Sequence, residues 1–198
     1  MKIVPPTAEG LAGAAGILRK GGVVAYPTET VYGLAVNPSS ESALATLFSI
    51  KGRREDNPVL LVVADLEQLT PWVKEISAKA RNCIEAFWPG PLSLLFPAAD
   101  MVPDALTAGS GKVCLRCPAC AIARELCRAF RGALTSSSAN RSSEPPARSL
   151  QEITLAEIAL GIDGGVLAPS APSTIYDPGE GRILRPGCIS EEELRAHC

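Results

Sequence analysis

Histidine is almost absent: His197, one position from the C-terminus, is the single imidazole in 198 residues. Without imidazoles no Ser-His-Asp triad, Cys-His pair or two-histidine zinc motif can be assembled, so any chemistry must run on carboxylates, hydroxyls, amides and cations. Chain ends commonly fray, which makes His197 itself a solvated tail residue in this reading. Long apolar runs are missing as well. The longest, Val59-Leu60-Leu61-Val62-Val63-Ala64, is far short of a bilayer span, and the start MKIVPPTAEG has no apolar export segment. The expectation is a soluble, cytoplasmic protein. Nor is there a basic excess: the formal net charge is -2 and the pI about 5.5, so no global field exists to hold a polynucleotide non-specifically. Seven cysteines, an odd number with no export signal, are expected to be reduced thiols and not a disulfide framework.

What is present is ordinary for a globular chain, with 46% hydrophobic and 20% charged residues, which argues against disorder. Length points to a single domain over residues 1–198, with a core about 8–190. Thr7 caps a helix reaching Lys20 with Leu11, Ala15 and Leu18 on one face, and Val23 to Tyr26 follow as a strand. Ser39 or Ser40 starts a second helix that stops at Gly52, and Val59 to Ala64 is the next strand. A longer helical region, opened by Asp65 and Pro71 and reaching Phe87, is broken by the turn WPGP before a strand over Leu92 to Phe96. Further expectations are a strand over Val113 to Arg116, a helix from Ala119 to Phe130 and a short strand over Ala133 to Thr135. Leu150 to Leu160 reads as helical, Ser173–Asp177 with Arg182–Leu184 as a hairpin, and Ser190 with Glu193 as a capping box. The class is α/β: a twisted mixed sheet flanked by helices.

Polar residues collect where strands or helices end, the places at which α/β proteins build their sites. PTET (27–30) interrupts two apolar runs, and KGRREDNP (51–58) sets Lys51, Arg53 and Arg54 at a helix end. TSSSAN (135–140) packs five small polar side chains behind a short strand, a composition suited to phosphate or carboxylate oxygens. Ser173 and Arg185 lie in the closing pair PST and LRPG. Two other motifs are set aside. Gly109-Ser110-Gly111-Lys112 lacks the first glycine and the metal-binding hydroxyl of a phosphate loop. Cys114, Cys117, Cys120 and Cys127 have metal-like spacing, but strand alternation sends Cys114 and Cys117 to opposite faces, so they read as buried thiols and no metal is assigned.

In order and spacing, YPTETVYGL (26–34), KGRREDNPVLLV (51–62), FWPGPLSLLFP (87–97), VCLRCP (113–118), TSSSAN (135–140), STIYD (173–177) and ILRPG (183–187) resemble the YrdC-like family of threonylcarbamoyl-AMP synthases. The resemblance covers nearly the whole chain and implies the YrdC-like fold. It further implies an ATP-dependent nucleotidyltransferase that joins L-threonine, bicarbonate or CO2 and ATP into threonylcarbamoyl-AMP and pyrophosphate, for tRNA threonylcarbamoyladenosine modification. On this footing Thr30, Arg116, Ser136 and Ser173 would hold threonine. Lys51, Arg53, Asn57, Ser138, Asn140 and Arg185 would hold ATP with its Mg2+, and Lys51 and Arg53 would be catalytic. A downstream tRNA-modifying complex would take the intermediate, with weak tRNA contact and no membrane, and the stretch SSEPPA (142–147) would serve as a lid. The chain resembles the short members, since little follows Ser190. Departures from the family pattern are Arg54, Arg141, Ser143, Pro172 and Val62. The competing expectation is a non-catalytic RNA-binding module of the same fold, against which the acidic pI speaks.

Overall fold

The structure is a computed structural model that describes residues 1–52, 58–141 and 144–198. Strand β1 (Lys2–Val4) leads into α1 (Ala8–Arg19), whose first turn is closed by the Thr7 hydroxyl accepting from Gly10 N at 3.2 Å. Its buried side carries Leu11, Ala14, Ala15 and Leu18, the spacing of an amphipathic helix. β2 (Val24–Pro27) and β3 (Tyr32–Ala35) form an antiparallel hairpin with PTET at its turn. The sequence shows no separate signal for β3, because Tyr32 to Ala35 is buried on both faces and lacks alternation. Ser40 caps α2 (Glu41–Lys51), and Gly52, at φ +56°, takes the left-handed position that ends it.

β4 (Leu61–Val62) is followed by the short α3 (Leu66–Leu69) and a 3-10 turn at Thr70–Trp72. Only then does α4 (Ala78–Phe87) begin, so the expected long helix is divided. β5 (Leu92–Pro97), α5 (Asp104–Thr107), β6 (Lys112–Arg116) and α6 (Ala121–Phe130) come next. β7 (Leu134–Thr135) and β8 (Ser137–Ser138) are separated by one residue, Ser136. The helix expected over Leu150 to Leu160 does not form. A 3-10 turn at Leu150–Glu152 gives way to β9 (Leu160–Ile162), with Glu157 in the left-handed region at φ +63°. Sheet pairing wins there: Ala159 N donates to Val23 O and Ala159 O accepts from Lys2 N. β10 (Thr174–Asp177), β11 (Arg182–Arg185) and α7 (Glu191–His197) complete the chain, the last with the expected Ser190/Glu193 capping box.

The strands make two mixed sheets, ordered β1-β9-β2-β3-β8 and β11-β10-β5-β6-β4-β7. β7 belongs to the second sheet and β8 to the first, so the backbone changes sheets at Ser136, whose N–H donates to Leu60 O at 2.7 Å. A large apolar cluster involves both sheets, among it Leu34, Leu61, Leu94, Leu115 and Leu47 from α2. A smaller one packs α1 on α6 against β2 and β9 through Leu18, Tyr26, Leu126 and Ile162.

The cysteine expectation needs a correction. Cys83 in α4 is bonded to Cys198, with Cα atoms 5.1 Å apart, because α7 packs on α4 and brings the last residue beside it. His197 is exposed but not a loose tail, since its ring meets Phe87 edge-on at 5.5 Å. Cys114, Cys117 and Cys127 are buried free thiols, as expected. Burial pushes Cys114 up to about 12 and Cys117 to about 11, and raises Cys127 further.

Candidate active site

A cavity of about 590 Å³ opens where the two sheets meet. Its floor is the second sheet: Lys112, Cys114 and Arg116 of β6 point into it, while the alternate residues Val113 and Leu115 are fully buried in the core. Leu95 of β5, Ile175 of β10 and Leu184 and Arg185 of β11 extend that floor. The PTET turn and the run Ser136 to Asn140 form the walls.

The turn is rigid for a local reason. Thr28 Oγ1 donates to Val31 O at 2.7 Å and accepts from the N–H groups of Thr30 and Val31 at 3.2 Å, replacing the ladder bonds a continuous strand would have made. Thr30 is thereby held at the cavity with its hydroxyl 3.0 Å from that of Thr28. Glu29, between them, turns to the start of α6. Its Oε1 accepts from Arg116 Nη2 and from Ala119 N at 2.9 Å, and its Oε2 accepts from Cys120 N at 3.3 Å. Burial would raise the Glu29 carboxyl, but the adjoining guanidinium and the Ala119 N–H outweigh it and hold it below its ordinary value. Arg116 also donates from Nε to Gly90 O at 3.0 Å.

The hydroxyl-amide run is placed by the change of sheet. Thr135 Oγ1 accepts from Val36 N at 2.8 Å, and Ser136 Oγ accepts from the Tyr26 hydroxyl at 2.8 Å. Burial drives the Tyr26 phenol far above its usual range, with the Ser136 bond opposing. Tyr26 thus remains a neutral donor. Lys51, the last residue of α2 and buried, donates from Nζ to Ser138 O and to Asn140 O, the latter at 2.8 Å. Asn140 Nδ2 donates to Arg141 O and Glu144 O, and the buried Oδ1 of Asn140 and Oγ of Ser137 meet no protein partner among the described residues.

At the opposite wall Arg185 donates to Ser173, and the Ser173 hydroxyl lies 2.9 Å from that of Ser93. Gly187 makes this possible: a Cβ there would come 2.2 Å from Pro172 O, so only glycine lets the LRPG turn lie against the start of β10. Burial pulls the Arg185 guanidinium below its ordinary value; the Cys114 thiol opposes this and Arg116 adds to it.

Seven of the residues singled out in the sequence, Thr30, Arg116, Ser136, Ser138, Asn140, Ser173 and Arg185, therefore line one cavity, with Lys51 bonded to its wall. Arg53 and Asn57 lie outside the described residues, as do Arg54 and Ser142 and Ser143 of the SSEPPA stretch, while Glu144 and Pro146 line the cavity. Tyr26, Glu29 and Ser93 join the site only in the structure, and Ser137, part of the TSSSAN run, carried no individual role in the sequence. The first two stand inside the YPTET motif itself, which was their available signal. The GSGK turn runs into a strand and not a helix, and its Lys112 pairs with Asp177 and Glu180. Among the described residues no group of three or more His, Cys, Asp or Glu is arranged to hold a metal ion.

Known proteins share the sequence and fold of this chain. Residues 16–187 match the Sua5/YciO/YrdC family, described as "Telomere recombination". A threonylcarbamoyl-AMP synthase of Alkalilimnicola ehrlichii is 40% identical over 174 residues, covering 85% of this chain and 90% of that protein. One from Chromohalobacter salexigens is 38% identical, covering 90% and 98%. The crystal structure of Pyrococcus abyssi Sua5 complexed with L-threonine superimposes with a TM-score of 0.91 at 37% identity, covering 98% of this chain but only 59% of that longer one. Escherichia coli YciO, at 22% identity and a TM-score of 0.83, shares the fold. With a match across most of its length and relatives near 40% identity, the chain belongs to the Sua5/YciO/YrdC family.

Proposed function

We propose that the chain is an L-threonylcarbamoyladenylate synthase, forming threonylcarbamoyl-AMP and pyrophosphate from L-threonine, bicarbonate or CO2, and ATP. The observation that carries this reading is the convergence, on one 590 Å³ cavity, of the arginines Arg116 and Arg185 with a hydroxyl-rich wall, brought together from separated segments of the chain. The threonine-bound P. abyssi relative supports the amino-acid half of it.

Arg116 would take the threonine carboxylate through paired hydrogen bonds, with Thr30, Ser136 and Ser173 contacting the rest of the molecule. Lys51, Ser138, Asn140 and Arg185, with Arg53 and Asn57 of the segment outside the described residues, would hold the nucleotide. The threonine nitrogen adds to CO2 to give a carbamate, and a carbamate oxygen displaces pyrophosphate from the α-phosphorus of ATP. No protein nucleophile is needed, which suits a chain whose one histidine does not line the cavity. Catalysis then rests on positioning and on cations facing the phosphates. Mg2+ would arrive as part of MgATP, since Glu144 is the one carboxylate among the described residues lining the cavity. The product would pass to a tRNA-modifying complex.

The test is incubation with MgATP, threonine and bicarbonate, following pyrophosphate and the adenylate by mass. Release should require both threonine and bicarbonate; equal release with threonine omitted would sink the reading. Arg116→Ala should raise the threonine concentration needed for half-maximal rate while ATP binding survives.

A further inference from the structure

Glu29 takes no direct place in the cavity lining, yet its carboxylate bonds to Arg116 and to two backbone N–H groups at the start of α6. We propose that Glu29 is a positioning residue for the amino-acid subsite: it fixes the Arg116 guanidinium so that its remaining donors face the substrate carboxylate. The inference rests on Arg116 as the threonine clamp.

A guanidinium is a planar fork of five donors, and its direction is set once two of its edges are tied. Arg116 is tied at Nε by Gly90 O, at 3.0 Å, and at Nη2 by Glu29 Oε1. Among the described residues Nη1 meets no acceptor, and Arg116 lines the cavity with its side chain only 4% exposed. Glu29 is itself fixed on both flanks, by the Thr28 turn behind it and by the Ala119 and Cys120 N–H groups ahead. The carboxylate therefore ties the turn of the first sheet to β6 of the second through one charged group.

Two effects of Glu29 oppose each other, and their balance makes the proposal testable. As a neighbouring anion it weakens the attraction of Arg116 for a second carboxylate. As an anchor it removes the freedom a long side chain would have to surrender on binding. Positioning predicts that removing the charge weakens threonine binding; dilution of charge alone predicts the opposite sign.

Glu29→Gln is the informative variant, because its amide oxygen still accepts from Ala119 N while the anion is gone. The expected result is a threonine KM raised about tenfold or more, kcat within about threefold and ATP affinity unchanged. In an Arg116→Ala background the same change should add nothing. An unchanged or lowered threonine KM, or full additivity with Arg116→Ala, overturns the proposal. A second measurement leaves Glu29 in place: the Arg116 Nε–H resonance of the unliganded wild-type protein, assigned by its loss in folded Arg116→Lys. Slow rotation of the guanidinium supports the anchor, and free rotation overturns it. If threonine left that resonance undisturbed, the clamp reading of Arg116 would fail instead, separately from the role of Glu29.

Discussion

Arg185 Nη2 donates at 2.9 Å to both the carbonyl and the hydroxyl oxygen of Ser173, so a cation assigned to ATP and a hydroxyl assigned to threonine are bonded to each other. In the proposed assignment the two subsites share a wall.

Ser173→Ala should therefore disturb both substrates. It removes an acceptor from the Arg185 guanidinium and a partner from Ser93, and we expect threonine and ATP constants each to worsen by about three- to tenfold, or ~1 kcal/mol. Initial-rate measurements varying each substrate check this, and an effect confined to threonine would show that Arg185 is held by the Ser173 carbonyl alone.

Lys51→Met keeps the apolar stem and removes the ammonium that donates to Ser138 O and Asn140 O. Pyrophosphate release should fall by about 10²–10³-fold, the scale for losing one preorganised charge stabiliser, with a lowered melting temperature from the loosened wall. Activity within threefold of wild type would confine Lys51 to holding the loop.

The Glu29–Arg116 pair also fixes a pH dependence. Because the Glu29 carboxyl sits below its ordinary value of 4.5 in the folded protein, its contribution to stability is fully present above that pH. It is lost as pH falls through the lower folded-state value. The melting temperature of wild type relative to Glu29→Gln should be constant between pH 7 and about 5 and shrink below it. A difference that stays level down to pH 3 would show that the pair carries no charge-linked stability.

Reduction of Cys83–Cys198 should lower the denaturation midpoint, since the bond closes a long stretch of chain, with a separation of 115 residues, at a typical worth of ~2–4 kcal/mol. Neither sulfur lines the cavity, so pyrophosphate release at 25 °C should not change. Equal urea midpoints with and without reductant would show that the bond adds nothing.

Local chemistry is what the sequence displays most openly. Thr7, Ser40 and Ser190 announce α1, α2 and α7 because a cap and its N–H lie three residues apart. Thr30, Ser136 and Arg185 stand in motifs dense enough to be noticed before their spatial relation is known. By contrast Leu150 to Leu160 has helix-like apolar spacing, and only β1 and β2, far away in the chain, decide that its end becomes a central strand. Glu29 is of the same kind. Nothing local distinguishes it from its neighbours in PTET, because its partner is 87 residues distant. Cys198 finds Cys83 by the packing of α7 on α4, which an odd count and a missing export signal do not address.

The single-residue step between β7 and β8 has a consequence for how the chain tolerates change. In an unbroken strand successive side chains face opposite ways, so three neighbouring hydroxyls could not all border one space. Ser136, Ser137 and Ser138 do border one space, since the backbone leaves one sheet and enters the other between them. Spacing along the backbone is thus the quantity under constraint. Inserting or deleting one residue between Thr135 and Asn140 would rotate every following group away from its neighbours in both sheets at once, a greater loss than replacing any one serine.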